Sequence, residues 1–99
     1  MICVDVLMPC IPNKNWKYSQ SCHLFSSNDN LHELHEFAKK LGLRKAWFQN
    51  SPSLPHYDLT ANKRLQAIKN GATQVSHKYL VEIIRERRRN NLNQEENNQ

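Results

Sequence analysis

The chain has 99 residues and carries 14 Lys and Arg against 9 Asp and Glu, a formal net charge of +5. That length supports one hydrophobic core and not two, and the absence of any apolar run near the roughly 18–20 residues of a membrane span excludes a transmembrane segment. Cys3, Cys10 and Cys22 are odd in number and form no CxxC pair, so neither a disulfide framework nor a zinc ribbon is suggested and reduced thiols are the expectation.

In chain order, the β-branched run 2–7, ended by Met8-Pro9, predicts a first strand with Asp5 near its C-terminal end. The Asn- and Ser-rich stretch 11–30 is too long for a simple connector, and His23-Leu24-Phe25 is the piece expected to pack back onto the body. From Leu31, the positions Leu34, Phe37 or Ala38, and Leu41 repeat at helical spacing, with Asn28 to Asn30 offering caps and Gly42 a stop. Lys45 to Gln49 alternates and predicts a second strand, with Ala46 and Phe48 on one side and Trp47 on the other. A proline-bounded loop, Ser51 to Asp58, follows.

Thr60 is a good N-cap for a second helix with Ala61, Leu65, Ile68 and Ala72 as its apolar positions and Asn70-Gly71 as its close. Ala72 to Ser76 predicts a short third strand. Ser76 then caps a third helix whose buried face is Tyr79, Leu80, Ile83 and Ile84 and whose end is the basic run Arg85 to Arg89. From Asn90 to Gln99 only Leu92 is apolar, so a disordered tail is expected there. The alternating order predicts one α/β domain over residues 1–89, in two or three layers, with about three mostly parallel strands and three helices.

Ligands of open parallel sheets sit beyond the carboxyl ends of the strands. That edge would gather Asp5, His23, the triplet His56-Tyr57-Asp58, and Ser76-His77, with Lys63 and Arg64 in the first turn of the second helix. In an extended segment His56 and Asp58 share one side. Asp5, His23, His56 and Asp58 are therefore the candidate catalytic residues, and Trp47, Tyr57, Lys63, Arg64 and Ser76 the candidate ligand contacts. Trp16 and Tyr18, like Trp47, have the chemistry to stack on bases or to fill a core. His32-Glu33-Leu34-His35 misses the zinc-protease motif by one residue, because its histidines lie at i and i+3, and a solvated helix face accounts for it. The Arg85 to Arg89 run reads as a helix end that favours the macrodipole.

Together, Ile2-Cys-Val-Asp, Cys22-His-Leu, Glu33-Leu-His-Glu-Phe-Ala-Lys-Lys-Leu-Gly-Leu, Ala46-Trp-Phe-Gln, Pro55-His-Tyr-Asp-Leu, Lys63-Arg and Ala67-Ile-Lys-Asn-Gly-Ala resemble domain of unknown function family 4031 over residues 2–77. The pattern departs at Phe25-Ser26-Ser27, where an acidic residue is expected. The resemblance implies that Asp5, His23, His56, Asp58, Lys63 and Arg64 carry the family motif, and it implies a phage or bacterial cytoplasmic setting without naming an activity.

Three functions follow as expectations. One is a domain that binds a phosphate-bearing ligand, nucleotide or nucleic acid, through Lys63, Arg64 and the second helix's N-terminus, with His23, His56 and Tyr57 on base or sugar. Another is a metal-dependent phosphodiesterase or nuclease in which Asp5, Asp58 and one or both histidines hold a divalent ion. The third is a non-catalytic module whose arginine-rich helix and tail engage a protein. No cofactor is assigned beyond that divalent metal, and no membrane partner is expected.

Overall fold

The computed structural model describes the backbone of residues 1–97 and the side chains of residues 1–91. Its strands are β1 (Ile2–Val4), β2 (Met8–Pro9), β3 (Gln20–Ser26), β4 (His56–Leu59) and β5 (Thr73–Gln74), and its helices are α1 (Leu31–Lys40), α2 (Ala61–Lys69) and α3 (His77–Asn97). The sheet is mixed and mostly antiparallel, which corrects the parallel expectation. β3 is its centre: β1 and β2 pair antiparallel along one side, β4 antiparallel along the other, and only β5 runs parallel, against β1.

The difference has a local cause. The 11–30 stretch, expected to pack back onto the body at His23-Leu24-Phe25 but not assigned a strand, contains β3, and the proline-bounded loop contains β4, so two strands stand where none was assigned. The expected strand at Lys45 to Gln49 is instead a 3-10 turn over Lys45–Trp47, after which Gln49 makes one isolated bridge to His56. The first strand is broken between Val4 and Met8, and the third is reduced to Thr73–Gln74.

The helices follow their sequence signals more closely. Asn30 caps α1 by accepting the Glu33 N–H at 3.1 Å, Thr60 caps α2 through the Lys63 N–H at 3.2 Å, and Ser76 caps α3 through the Tyr79 N–H at 3.1 Å. Gly42 adopts φ +78° beyond the end of α1, a left-handed conformation that favours glycine. In α2 the buried position is Ala67, while Leu65, read as apolar-facing, is 61% exposed. α3 runs past Arg89 to Asn97, so the expected tail falls partly within this helix, and residues 98–99 lie outside the described residues.

Strand alternation divides the sheet into two faces. Val4, Cys22, Leu24, Tyr57 and Leu59 point to one, where they pack with Leu34, Ala38 and Leu41 from the α1 end and Ala67 from α2. Cys3 and Phe25 point to the other, where Leu54 and Leu80 of α3 cover them. All the cysteines are free thiols, and burial beside the Asp5 carboxylate pushes Cys22 up to about 12, far from thiolate chemistry at neutral pH. No helix among the described residues is long and apolar enough to cross a membrane.

Candidate metal centre and adjoining cleft

The register of the three central strands sets Asp5, His23 and Asp58 in one row. His23 pairs with Asp58 on β4, and Asp5 lies opposite His23 on the other side, its N–H donating to the His23 carbonyl at 3.4 Å. His56 sits two residues along β4, on the same face. The site therefore lies on the face of the sheet beside the area covered by α3, not at a carboxyl edge.

Asp5 owes its position to a break in the β ladder. Between the pairs Val4 with Leu24 and Met8 with Ser21, residues Asp5, Val6 and Leu7 stand against Cys22 and His23, an extra residue of the kind that forms a bulge and re-aims side chains. The Asp5 carboxylate takes the place of a backbone acceptor: Oδ1 accepts the His23 N–H and Oδ2 faces His23 Nδ1 at 2.8 Å. The Asp5 carbonyl freed by this exchange accepts Arg64 Nε at 2.9 Å. At 2% exposure the carboxylate is fully committed to His23.

Both imidazoles are consequently anchored through Nδ1. His23 Nδ1 is held by Asp5, and His56 Nδ1 donates to the Leu54 carbonyl at 2.7 Å. This leaves Nε2 of each ring as the available lone pair. The rings lie edge to face with centroids 4.8 Å apart. His56 Nε2 is 3.4 Å from Asp58 Oδ1, and the other Asp58 oxygen accepts from Gln49 Nε2. One ligand atom from each of His23, His56 and Asp58 falls within 4.8 Å of the other two. Tetrahedral ligands about 2.1 Å from an ion are roughly 3.4 Å apart, so small side-chain rotations would close the set around one cation.

The electrostatics agree with that geometry. Burial pulls the His56 pKa down, yet the hydrogen bonds to Asp58 and to the Leu54 carbonyl, with the charges of Asp58 and Asp5, raise it overall above 6.5. Asp58 is correspondingly lowered by its hydrogen bond to His56, despite partial burial. A field that retains a proton between these groups favours any cation placed there.

Other sequence candidates sit elsewhere. Tyr57 points to the opposite face, 1% exposed, where its hydroxyl meets His35 Nδ1 at 2.8 Å. His35 is thus a packed residue, stacked edge to face on Phe48, and not part of a solvated helix face. Lys63 Nζ donates to the Leu41 carbonyl at the end of α1, and Arg64 is engaged with the Asp5 carbonyl, so both cations serve the scaffold. Ser76 is spent as a cap, and His77 is exposed at the first turn of α3.

Asp58 also lines a cleft of about 780 Å³ shared with Trp47, Gln49, Thr60, Lys63 and the 13–18 turn. Trp47 is 53% exposed on its rim. Gln49 and Leu54, which the sequence did not single out, hold Asp58 and His56 in place. Gln49 reaches Asp58 only because of its bridge to His56, a pairing that no local pattern announces.

Residues 8–87 match a family model described as a protein of unknown function (DUF4031). No curated protein and no solved structure matches the chain.

Proposed function

The chain belongs to the DUF4031 family, whose description assigns no activity, and from the site itself we propose that it is a metal-dependent phosphoesterase. In this reading His23 Nε2, His56 Nε2 and Asp58 hold one divalent ion on the open part of the sheet face. The observation that carries it is the paired anchoring of the two imidazoles through Nδ1, one by a buried carboxylate and one by a backbone carbonyl. Outer partners of this kind fix the tautomer and raise the basicity of metal-binding histidines. Asp5, whose two oxygens are occupied by His23, acts as the outer partner and not as a ligand.

Two imidazoles and one carboxylate suit zinc or another first-row ion better than magnesium or calcium, which take mostly oxygen. An ion held by His23, His56 and Asp58 would supply a water of lowered pKa as the nucleophile for hydrolysis of a phosphate ester. A phosphate ester is favoured as substrate by the net charge of +5 and by the lysines beside the site. The phosphate clamp expected of Lys63 and Arg64 has less support, since both are hydrogen-bonded to main-chain carbonyls.

The test is hydrolysis of a chromogenic phosphodiester by protein stripped of metal and reloaded with zinc or manganese. Activity that needs the ion and is lost in His56→Ala supports the proposal. Activity that survives chelation, or is unchanged in His56→Ala, contradicts it.

A further inference from the structure

We infer that the cleft beside Asp58 binds single-stranded nucleic acid, with bases stacked on Trp47 and on the Trp16–Tyr18 pair and phosphates met by Lys14 and Lys17. As a substrate of the metal site this strand rests on the reading above, while as a ligand of the cleft it stands alone. Three aromatic side chains line one cleft from two separate turns, 13–18 and 45–47. In a chain this small, such rings ordinarily go to the core. Here Trp47 is 53% and Tyr18 44% exposed, whereas the aromatic rings Phe25 and Tyr57 are buried.

Each exposed ring has a cation against it: the Arg44 guanidinium lies 5.7 Å from the Trp47 centroid and Lys17 Nζ 5.5 Å from that of Tyr18. Alternating aromatic and cationic groups along a groove is how proteins hold a single strand, each base supplying a π-face and each phosphate a charge. The 13–18 turn is shaped for it. Asn13 Oδ1 accepts the N–H groups of Asn15 and Trp16 at 2.8 and 3.0 Å, and Trp16 Nε1 donates to the Gln20 carbonyl at 3.2 Å, so the indole is held in place before any ligand arrives. Among the groups lining the cleft, Asp58 is the one acid, set against Lys14, Lys17 and Lys63. A strand lying along it would bring a phosphate to the carboxylate that belongs to the metal set.

The experiment is a tryptophan-fluorescence titration of the full chain, stripped of metal by chelation, with a short oligothymidylate, a duplex of equal length and thymidine monophosphate. The single strand should quench the fluorescence and bind more tightly than either comparator. Trp47→Ala should weaken it about tenfold, with Trp47→Phe restoring most of the loss. Combined Lys14→Ala and Lys17→Ala should flatten its salt dependence. Equal binding of the duplex, saturation by the mononucleotide with no gain from the strand, or an affinity indifferent to Trp47→Ala would overturn the inference. Repeating the titration with His56→Ala separates the two readings: retained strand binding with lost metal binding supports the cleft on its own, and strand binding lost with it overturns the independence claimed here.

Discussion

At the residue scale, Asp5 does the most for the proposed metal site by holding His23, without being a ligand itself. It accepts both the backbone and the ring N–H of His23, and Asp5→Asn would remove the charge and one acceptor while keeping the shape. Outer-partner substitutions of this sort cost about 10- to 100-fold in metal affinity, and that loss is predicted for Asp5→Asn, measured by competition with a chromophoric chelator. The His56–Asp58 pair predicts a pH dependence of the metal-free protein. Because His56 is raised, its contribution to stability is complete below 6.5 and fades as pH rises through the raised value. Because Asp58 is lowered, its contribution is complete above 3.8 and fades as pH falls through the lowered value. The stability difference between wild type and Asp58→Asn in urea should therefore be greatest between those limits, and a difference flat with pH would contradict the assignment. Metal affinity should run the other way, weakening in acid as His56 takes up its proton.

At the scale of elements, the arginines of α3 are not equivalent. Arg87 reaches back to the Ser26 carbonyl at 2.8 Å and to Asp29 at 3.3 Å, tying the helix to the end of β3, whereas Arg85, Arg88 and Arg89 are exposed. Arg87→Ala should cost roughly 1.5–3 kcal/mol, the range for hydrogen bonds to a charged group, and each of its exposed neighbours less than about 0.5 kcal/mol. Thermal or urea unfolding of the individual variants checks this. The same element shows what a sequence reveals. Its cap at Ser76 and its apolar face with Leu80 are legible because helix signals are local, and so are the caps at Asn30 and Thr60. β3 is not legible, because Gln20-Ser-Cys-His alternates polar groups within an Asn- and Ser-rich run and draws its stability from strands on both sides. The Lys45–Trp47 turn misleads for the opposite reason, since Ala46, Trp47 and Phe48 alternate without any strand to pair with.

At the scale of the molecule, topology follows from those two strands. With β3 and β4 unseen, helices separate the remaining strands and a parallel sheet is the natural reading. With them in place the sheet is mostly antiparallel and the site moves from an edge to a face. His56 and Asp58 could be placed together from their spacing alone. His23 and Asp5 were grouped with them through a parallel-sheet edge, whereas it is the register across β1, β3 and β4, set by long-range pairing, that brings them together. Tyr57 follows from the same alternation read to its end: if His56 and Asp58 face the site, the residue between them faces away.

The most direct measurement is isothermal titration of metal-stripped protein with zinc and with manganese, for wild type, His23→Ala, His56→Ala and Asp58→Asn, alongside thermal unfolding. The predicted result is one ion per chain in the wild type, with about 2.7 kcal/mol of added stability when the free ion is at 100 times its dissociation constant. Each variant should lose that binding. A wild type that binds neither ion, or variants that bind as tightly as the wild type, would contradict a metal centre at these residues.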